Sequence, residues 1–380
     1  MPAGRPNLAR TRTPPSNRRD ETGGAAPISI RFRRISIRLI SCASDVSLSP
    51  PVVARMRHLR SLDGSMAFRH SGATVATMPA EWHRWRMPLI TVDCVLDAKA
   101  ALGEAPLWCE REQVLWWADI EGRTLHRFDP ATGSDSCVKL PRRIGCFALR
   151  EGGGFVVALE DGFHFLDARG GSSQIVDPEA DQPNNRFNDG TTDPAGRFIA
   201  GPMPMGPREP VGALYRLWPD RRCELLFDGL TVTNGCAFSP DGRVFYFSDS
   251  EASVRTIWAC DYDVASGRIG NRRVFVDTHG LAGRPDGAAV DADGCYWMAG
   301  VGGWQLVRFT PAGQVDRIVE VPVEKPTKVA FGGPRLDTLY VTSIGSGLTP
   351  GTEHRQPQAG GLFATRVPGV VGLPQPRFAG

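Results

Sequence analysis

The feature that most constrains the fold of this 380-residue chain is a strand-pair pattern that recurs along it. In each copy two apolar runs flank a polar turn, as at Asp293-Gly294, a strong hairpin signal. The copies are centred roughly 40–50 residues apart, which is the period of a propeller blade. They are found at segments 113–119, 154–160, 196–201, 242–249, 294–300 and 337–343.

Six repeats of short antiparallel strands predict an all-β fold, a six-bladed β-propeller around a central channel. No convincing amphipathic helix interrupts the repeats. The segment Leu89 to Leu96 precedes the first of them. We predict that it pairs with the last blade and closes the ring, because closure removes an open sheet edge. Trp108, Trp116 and Trp117 are expected to be core or blade-packing residues.

The first 86 residues differ from the rest. They hold 15 Arg, no Lys and five acidic residues, so their net charge is +10 and that of the remaining residues is −7. Residues 1–86 are interpreted as a disordered extension, a transit-like segment, or upstream sequence translated from a start codon placed too early. We favour the third, with Met78 or Met87 as the natural start, and assign the propeller to residues 87–380.

Composition excludes several classes of function. The mildly acidic main domain gives no support for nucleic-acid binding. The nine Cys are scattered without Cys-x-x-Cys pairs, which argues against a disulfide framework and a zinc cage. A reducing cytoplasm is the simplest compartment. No apolar run approaches membrane-spanning length, so we expect no membrane partner, and the oligomeric state stays open.

Polar residues recur at one position of the repeat, the start of the strand that lines the channel. They are Glu104, Asn188, Asn234 and Asp286. Repeat geometry sends all four to one mouth of the channel. Two carboxylates and two amide carbonyls there would form an oxygen-rich site that suits Ca²⁺, Mg²⁺ or Mn²⁺. Without a cation the carboxylates would repel each other, and one would tend to stay protonated.

Turn chemistry is the alternative for three of these residues. Asn188, Asn234 and Asp286 stand at or within one residue of an Asn-Gly or Asp-Gly pair. Glu104 and the shared register argue for a site.

In the sixth repeat the position holds Lys328, which either contacts substrate or lies solvated at the channel wall. The histidines share no register and no Ser has a nucleophile-elbow context, so a His-based metal site or a Ser-His-Asp mechanism is not expected.

These motifs resemble the SMP-30/gluconolactonase/regucalcin-like lactonases over roughly residues 90–370. The resemblance is carried by Gly-Glu-Ala-Pro-Leu-Trp at 103–108, Arg-Phe-Asn-Asp-Gly at 186–190, Asp-Pro-Ala-Gly-Arg at 193–197, Asn-Gly at 234–235 and Pro-Asp-Gly at 285–287. It implies a six-bladed propeller with one catalytic divalent metal ion. The ion would be Ca²⁺, Mg²⁺, Mn²⁺ or Zn²⁺, and oxygen ligands favour the first three.

The resemblance also implies roles for individual residues. Glu104, Asn234 and Asp286 would be the metal ligands, and Arg186 and Asn188 would contact the substrate. The family often carries an acidic residue where this chain has the Pro-rich segment 201–210, in which Glu209 is the candidate.

The leading hypothesis is a metal-dependent hydrolase of sugar-acid lactones such as glucono-, galactono-, xylono- or arabinonolactone. The cation would polarise the lactone carbonyl, and water activated by the cation or by Asp286 as general base would attack. Two alternatives remain open: a non-catalytic propeller that binds a cation or a carbohydrate, and an arylesterase- or phosphotriesterase-like enzyme. The sequence does not reveal which lactone is used.

Overall fold

Six four-stranded antiparallel sheets make up the computed structural model, which describes residues 90–380. They form the six blades of a β-propeller, as the repeats predicted. The predicted extension 1–86 and its boundary at residue 87 lie outside the described residues.

The first three blades each use four consecutive strands. Blade 1 contains β2 (Gly103–Cys109), β3 (Val114–Asp119), β4 (Thr124–Asp129) and β5 (Ser134–Lys139). Blade 2 contains β6 (Ile144–Leu149), β7 (Phe155–Leu159), β8 (Gly162–Leu166) and β9 (Ser172–Val176). Blade 3 contains β10 (Asn185–Thr192), β11 (Phe198–Pro204), β12 (Gly212–Leu217) and β13 (Cys223–Leu230).

Blades 4 and 5 repeat that order, and blade 6 takes one strand from the start of the domain. Blade 4 contains β14 (Thr233–Phe238), β15 (Val244–Asp249), β16 (Thr256–Tyr262) and β17 (Ile269–Asp277). Blade 5 contains β18 (Arg284–Val290), β19 (Tyr296–Val301), β20 (Gln305–Phe309) and β21 (Val315–Glu320). Blade 6 contains β22 (Pro326–Gly332), β23 (Thr338–Ser343), β24 (Leu362–Thr365) and β1 (Asp93–Leu96).

The ring closes through strand β1. It pairs antiparallel with β24, and Asp93 lies opposite Ala364. The predicted closure is therefore confirmed, although the strand begins at Asp93 and Leu89 lies outside the described residues. Because the two ends of the domain share one sheet, the innermost strands β2, β6, β10, β14, β18 and β22 form a ring in which each contacts the next.

Burial decreases from the channel outward, and this explains the strand sequences. The second strands are mainly apolar, and β7 is apolar and buried at every position. The outermost strands, such as β5, are largely exposed and polar. Large side chains fill the space between blades. The ring of Trp116 in blade 1 meets that of Phe155 in blade 2 edge-on, with 4.8 Å between the ring centroids. The ring of Trp108 stacks on that of Tyr340 in blade 6, with 5.9 Å between the centroids. The predicted packing of Trp108, Trp116 and Trp117 is confirmed, since all three are buried.

Each innermost strand has an irregular register near its start. The shifts fall between Glu104/Leu107, Ile144/Cys146, Phe187/Asp189, Asn234/Ala237, Pro285/Ala288 and Pro326/Val329. Such irregularities bend a strand and re-aim a side chain. The recurrence places the same structural device, and the residues beside it, at one end of the channel in every blade.

Aspartates at the ends of second strands hold the loops that lead into the innermost strands. Asp119 accepts hydrogen bonds from two backbone amides of the loop before β2, both at 3.0 Å. Asp249 does the same before β14, at 2.7 and 2.9 Å. Buried amides outside a sheet need such partners, so these aspartates fix where two of the channel strands begin.

The described cysteines are all free thiols. No helix within residues 90–380 is long and apolar enough to cross a membrane.

Candidate active site

The predicted site residues lie in the first halves of four innermost strands. Glu104 is in β2, Arg186 and Asn188 in β10, Asn234 in β14 and Asp286 in β18, and all five are buried. The turn interpretation of Asn188, Asn234 and Asp286 is wrong, because each lies within a strand beside a register shift. The sequence register therefore identified residues that share one structural position.

A continuous chain of hydrogen bonds joins blades 3, 4 and 5. Arg186 Nη1 donates to Asn188 Oδ1 at 2.8 Å, and Asn188 Nδ2 donates to Asn234 Oδ1 at 3.1 Å. Asn234 Nδ2 donates to Ser250 Oγ at 2.7 Å, and Ser250 Oγ donates to the backbone carbonyl immediately before Asp286. Ser250 thereby orients the amide of Asn234. Sequence reasoning missed it, because it follows β15 and lies outside the register of the other residues.

Both carboxylates of the predicted site have raised pKa values. Burial, and then the charge of Asp189, raises the pKa of Glu104 from 4.5 to about 7. Burial, followed by the charges of Glu104 and Asp189, raises the pKa of Asp286 well above its ordinary value. Two buried carboxylates of this kind favour protonation unless a positive charge joins them. Their mutual repulsion is the electrostatic feature that a bound cation would relieve.

The donor set fits a hard divalent cation. Glu104 and Asp286 supply carboxylates, and Asn234 Oδ1 accepts one hydrogen bond and keeps a second lone pair. Carboxylate and amide oxygens are the ligands that Ca²⁺, Mg²⁺ and Mn²⁺ prefer. Within residues 90–380 no group of three or more His, Cys, Asp or Glu side chains could hold a metal ion. A cation bound here would therefore depend on an amide oxygen beside the two carboxylates.

Arg186 uses only one of its three nitrogen atoms in hydrogen bonds to the described residues. Both of its hydrogen bonds run through Nη1, to Asn188 Oδ1 at 2.8 Å and to Phe187 O at 3.0 Å. Its Nε and Nη2 groups have no partner, and it forms no salt bridge, among the residues that the structure describes. Burial lowers the pKa of its guanidinium group. The remaining N–H groups form a fork suited to the oxygen atoms of a ligand.

Asp189 and Lys328 form a buried ion pair next to the carboxylates. Lys328 Nζ donates to Asp189 Oδ1 and, at 3.2 Å, to Gly190 O. Of the two alternatives for Lys328, a solvated position at the channel wall is excluded, since the residue is only 8% exposed. Contact with substrate stays a prediction. Sequence reasoning missed Asp189, because Asp189-Gly190 also has the appearance of a turn.

Two positions contribute no side chain to the group. In blade 2 the corresponding residue is Gly145, where a Cβ atom would lie 2.2 Å from Phe187 O, so close packing against blade 3 requires glycine. Glu209, the acidic candidate in segment 201–210, is exposed in the loop between β11 and β12.

A cavity of about 320 Å³ lies further along the innermost strands. It is lined mainly by alanine and proline, by Cys146 and Cys236, and by the C-terminal segment 373–376. None of the five predicted site residues lines it, but Lys328 does. The channel therefore has a charged upper part and an apolar lower part, and Lys328 lies where they meet.

Comparison with known proteins adds a family match and close relatives. The model of the SMP-30/Gluconolactonase/LRE-like region matches residues 102–345. The 6-deoxy-6-sulfogluconolactonase of Pseudomonas putida is 43% identical over 295 residues, 76% of this chain and 99% of that protein. Regucalcin of Xenopus laevis is 36% identical over 301 residues, 77% of this chain and 100% of that protein. The crystal structure of regucalcin, a calcium-binding protein from Agrobacterium tumefaciens, matches with a TM-score of 0.72 and 29% identity, over 76% of this chain and 97% of that one.

Proposed function

The chain belongs to the SMP-30/gluconolactonase/LRE-like family, as its motifs predicted, and from that premise we propose that it is a metal-dependent hydrolase of sugar-acid lactones. The observation that carries the proposal is the grouping of Glu104, Asn234 and Asp286 beside the donors of Arg186 that have no partner within residues 90–380. A cation site with a purely structural role would not need a buried guanidinium group whose remaining N–H groups can bind a ligand. The relative named for a sulfogluconolactonase supports the same class of reaction.

Glu104, Asn234 and Asp286 would hold the cation through two carboxylates and one amide oxygen. When bound there, a divalent cation supplies Lewis-acid polarisation of the lactone carbonyl and stabilisation of the developing negative charge. Ser250 and Asn188 contribute indirectly, because their hydrogen bonds to Asn234 fix which end of its amide faces the site.

Asp286 is proposed as the general base. Its carboxylate would accept a proton from the water molecule that attacks the lactone carbonyl. Burial raises the pKa of Asp286 above its ordinary value, and a carboxylate with a raised pKa is a stronger base. The ester bond to the ring oxygen then breaks, the ring oxygen takes up a proton, and the product is an open-chain sugar acid.

Arg186 and Asn188 are proposed as substrate contacts. The free N–H groups of Arg186 would donate to hydroxyl oxygens of the sugar ring. Both N–H groups of Asn188 are already engaged, so its contribution would come from the second lone pair of Oδ1, which can accept from a substrate hydroxyl group. The substrate class is an aldonolactone with several hydroxyl groups.

Lactone hydrolysis with controlled metal content tests this proposal. Acid release from glucono-, galactono-, xylono- and arabinonolactone would be followed in a pH-stat, and the spontaneous rate subtracted. We expect that EDTA abolishes turnover, that Mg²⁺, Mn²⁺ or Ca²⁺ restores it, and that aryl esters react more slowly than the best lactone. Full activity in protein shown by elemental analysis to be metal-free would refute metal dependence. Cation binding without hydrolysis of any lactone would favour the non-catalytic alternative.

A further inference from the structure

We propose that Lys328 is a positioning residue that acts as a tethered cation. Together with Asp189 it would set the net charge around Glu104 and Asp286, so that it weakens cation binding while it favours the negative charge that lactone hydrolysis creates. The inference rests on the proposed metal-dependent function and assigns a role to an ion pair that this function does not use.

The ion pair spans the channel. Lys328 lies in β22 of blade 6 and Asp189 in β10 of blade 3, and these strands are three places apart in the ring of six. Both side chains are buried, Asp189 at 2% exposure and Lys328 at 8%. Burial of two charges is costly unless they are paired and hydrogen-bonded. Their contact therefore forms a bridge between opposite blades, next to the carboxylates.

Neighbouring residues hold the bridge in place. The second carboxylate oxygen of Asp189 accepts a hydrogen bond from the backbone amide of Cys236 at 3.0 Å, two residues beyond Asn234. The aliphatic part of Lys328 crosses Gly287, where a Cβ atom would lie 2.4 Å from Lys328 Cβ. The glycine after Asp286 is thus required by the crossing lysine, in addition to any need of the backbone.

The charges near the bridge predict two effects of opposite sign. The buried charged groups are Glu104, Asp286 and Asp189, which are negative when ionised, and Arg186 and Lys328, which are positive. With all five ionised their formal charge is −1, and a divalent cation would make it +1. Without Lys328 the loaded site would be neutral. Burial lowers the pKa of Lys328, but the charge of Asp189 and then that of Glu104 raise it, so Lys328 and Glu104 act on each other. Removal of the ammonium group should strengthen cation binding and weaken stabilisation of an oxyanion.

Three variants and a control test this inference. Calorimetric titration of the metal-free proteins with Mn²⁺ at about pH 8, where carboxylates are normally ionised, measures affinity without reference to activity. Lys328→Met should bind Mn²⁺ about tenfold more tightly, and Asp189→Asn should bind it more weakly. The double variant should lie between the two. The control is Lys325→Gln, which changes a partly exposed lysine three residues upstream of Lys328. It should bind Mn²⁺ like the wild type. With the best lactone, kcat should fall in Lys328→Met and recover in part in the double variant.

The outcomes separate this inference from the proposed function. A purely structural role predicts that Lys328→Met and Asp189→Asn both weaken Mn²⁺ binding, and that result, in variants whose unfolding stays cooperative, would overturn the inference alone. If Lys328→Met does not fold, the double variant decides, because it leaves neither charge unpaired. The charge argument predicts that it binds Mn²⁺ more tightly than Asp189→Asn, and binding as weak as that of Asp189→Asn, or weaker, would overturn the inference. A wild-type protein that binds no divalent cation would overturn both proposals.

Discussion

The upper and lower parts of the channel are built by the same six strands, yet they differ in chemistry. The upper part holds the buried group Glu104, Arg186, Asn188, Asn234 and Asp286. One to three residues further along the same strands, the lower part presents small apolar side chains around a cavity of about 320 Å³, among them Ala105, Ala148, Ala237, Ala288 and Ala330. Strand geometry alone therefore does not make the site.

The comparison shows that the electrostatically unfavourable burial of carboxylates is confined to the upper part of the channel. Carboxylates whose pKa values are raised by burial oppose folding of the metal-free protein when they are ionised, whereas the alanines below them do not. Buried polar groups that cost stability are common at functional sites. Perturbation of the upper part should accordingly change cation binding, turnover and pH dependence, and perturbation of the lower part should change little beyond packing.

The largest effect is expected for Asp286→Asn. The change keeps the size and one oxygen ligand but removes the charge and the base, so turnover at saturating metal should fall about 10²–10⁴-fold. Cation affinity should fall as well. Metal-free stability should stay level or rise, since the charge of Glu104 no longer meets a second carboxylate there. Lactone hydrolysis and thermal unfolding of the metal-free protein measure the two effects.

Asp293→Asn is the control for that change. Asp293 lies in the turn of the same hairpin and is exposed, so its replacement should leave turnover unchanged. Near-wild-type turnover of Asp286→Asn at saturating metal would make Asp286 a replaceable ligand. A collapse of metal-free stability would make it a structural residue instead.

A smaller effect is expected in the pH dependence of stability. Folding raises the pKa of Glu104 from 4.5 to about 7, so the stabilisation that its protonated form provides is fully present below pH 4.5 and is lost as the pH rises through 7. For Glu104 the loss is about 3 kcal/mol in the metal-free protein. Glu104→Gln should make the decline shallower, although Asp286 still contributes with the same sign.

Urea unfolding in EDTA between about pH 4.5 and pH 8.5 measures this decline. Glu110→Gln, a change of an exposed glutamate in the same blade, should follow the wild type. If the stability of Glu104→Gln falls with pH as steeply as that of the wild type, the burial of Glu104 does not cause the fall.

The smallest effects come from a pair of packing changes on β6. Gly145→Ala enlarges a residue of the upper part, where the new Cβ atom would lie 2.2 Å from Phe187 O, and should cost about 1–3 kcal/mol and lower turnover by displacing Asn188. Ala148→Val enlarges a residue that lines the lower cavity and should leave turnover nearly unchanged. Denaturant unfolding and lactone hydrolysis of both variants provide the comparison. Equal losses of turnover would mean that the two parts of the channel are not functionally distinct.

Sequence periodicity predicted much of this protein, because a propeller repeats one local unit. The spacing of the strand pairs predicted six blades, and the shared position of Glu104, Asn234 and Asp286 predicted that they meet at one mouth. These inferences needed only short-range patterns and the rule that equivalent positions of a repeat occupy equivalent places. Sequence patterns could not distinguish Asp189 from a turn residue, because Asx-Gly pairs occur in both settings.

What the sequence determined by itself is the blade count, the ring closure by the first strand, and the shared strand position of Glu104, Asn188, Asn234 and Asp286, since each follows from local period and register. Only the tertiary structure decided that Lys328 reaches Asp189, 139 residues away in the chain, and that Ser250 orients Asn234. The physical reason is that these contacts depend on ring closure and on the register shifts that aim each side chain. Ring closure and the register shifts depend on how the blades pack against one another. The sequence of a single repeat does not specify that packing.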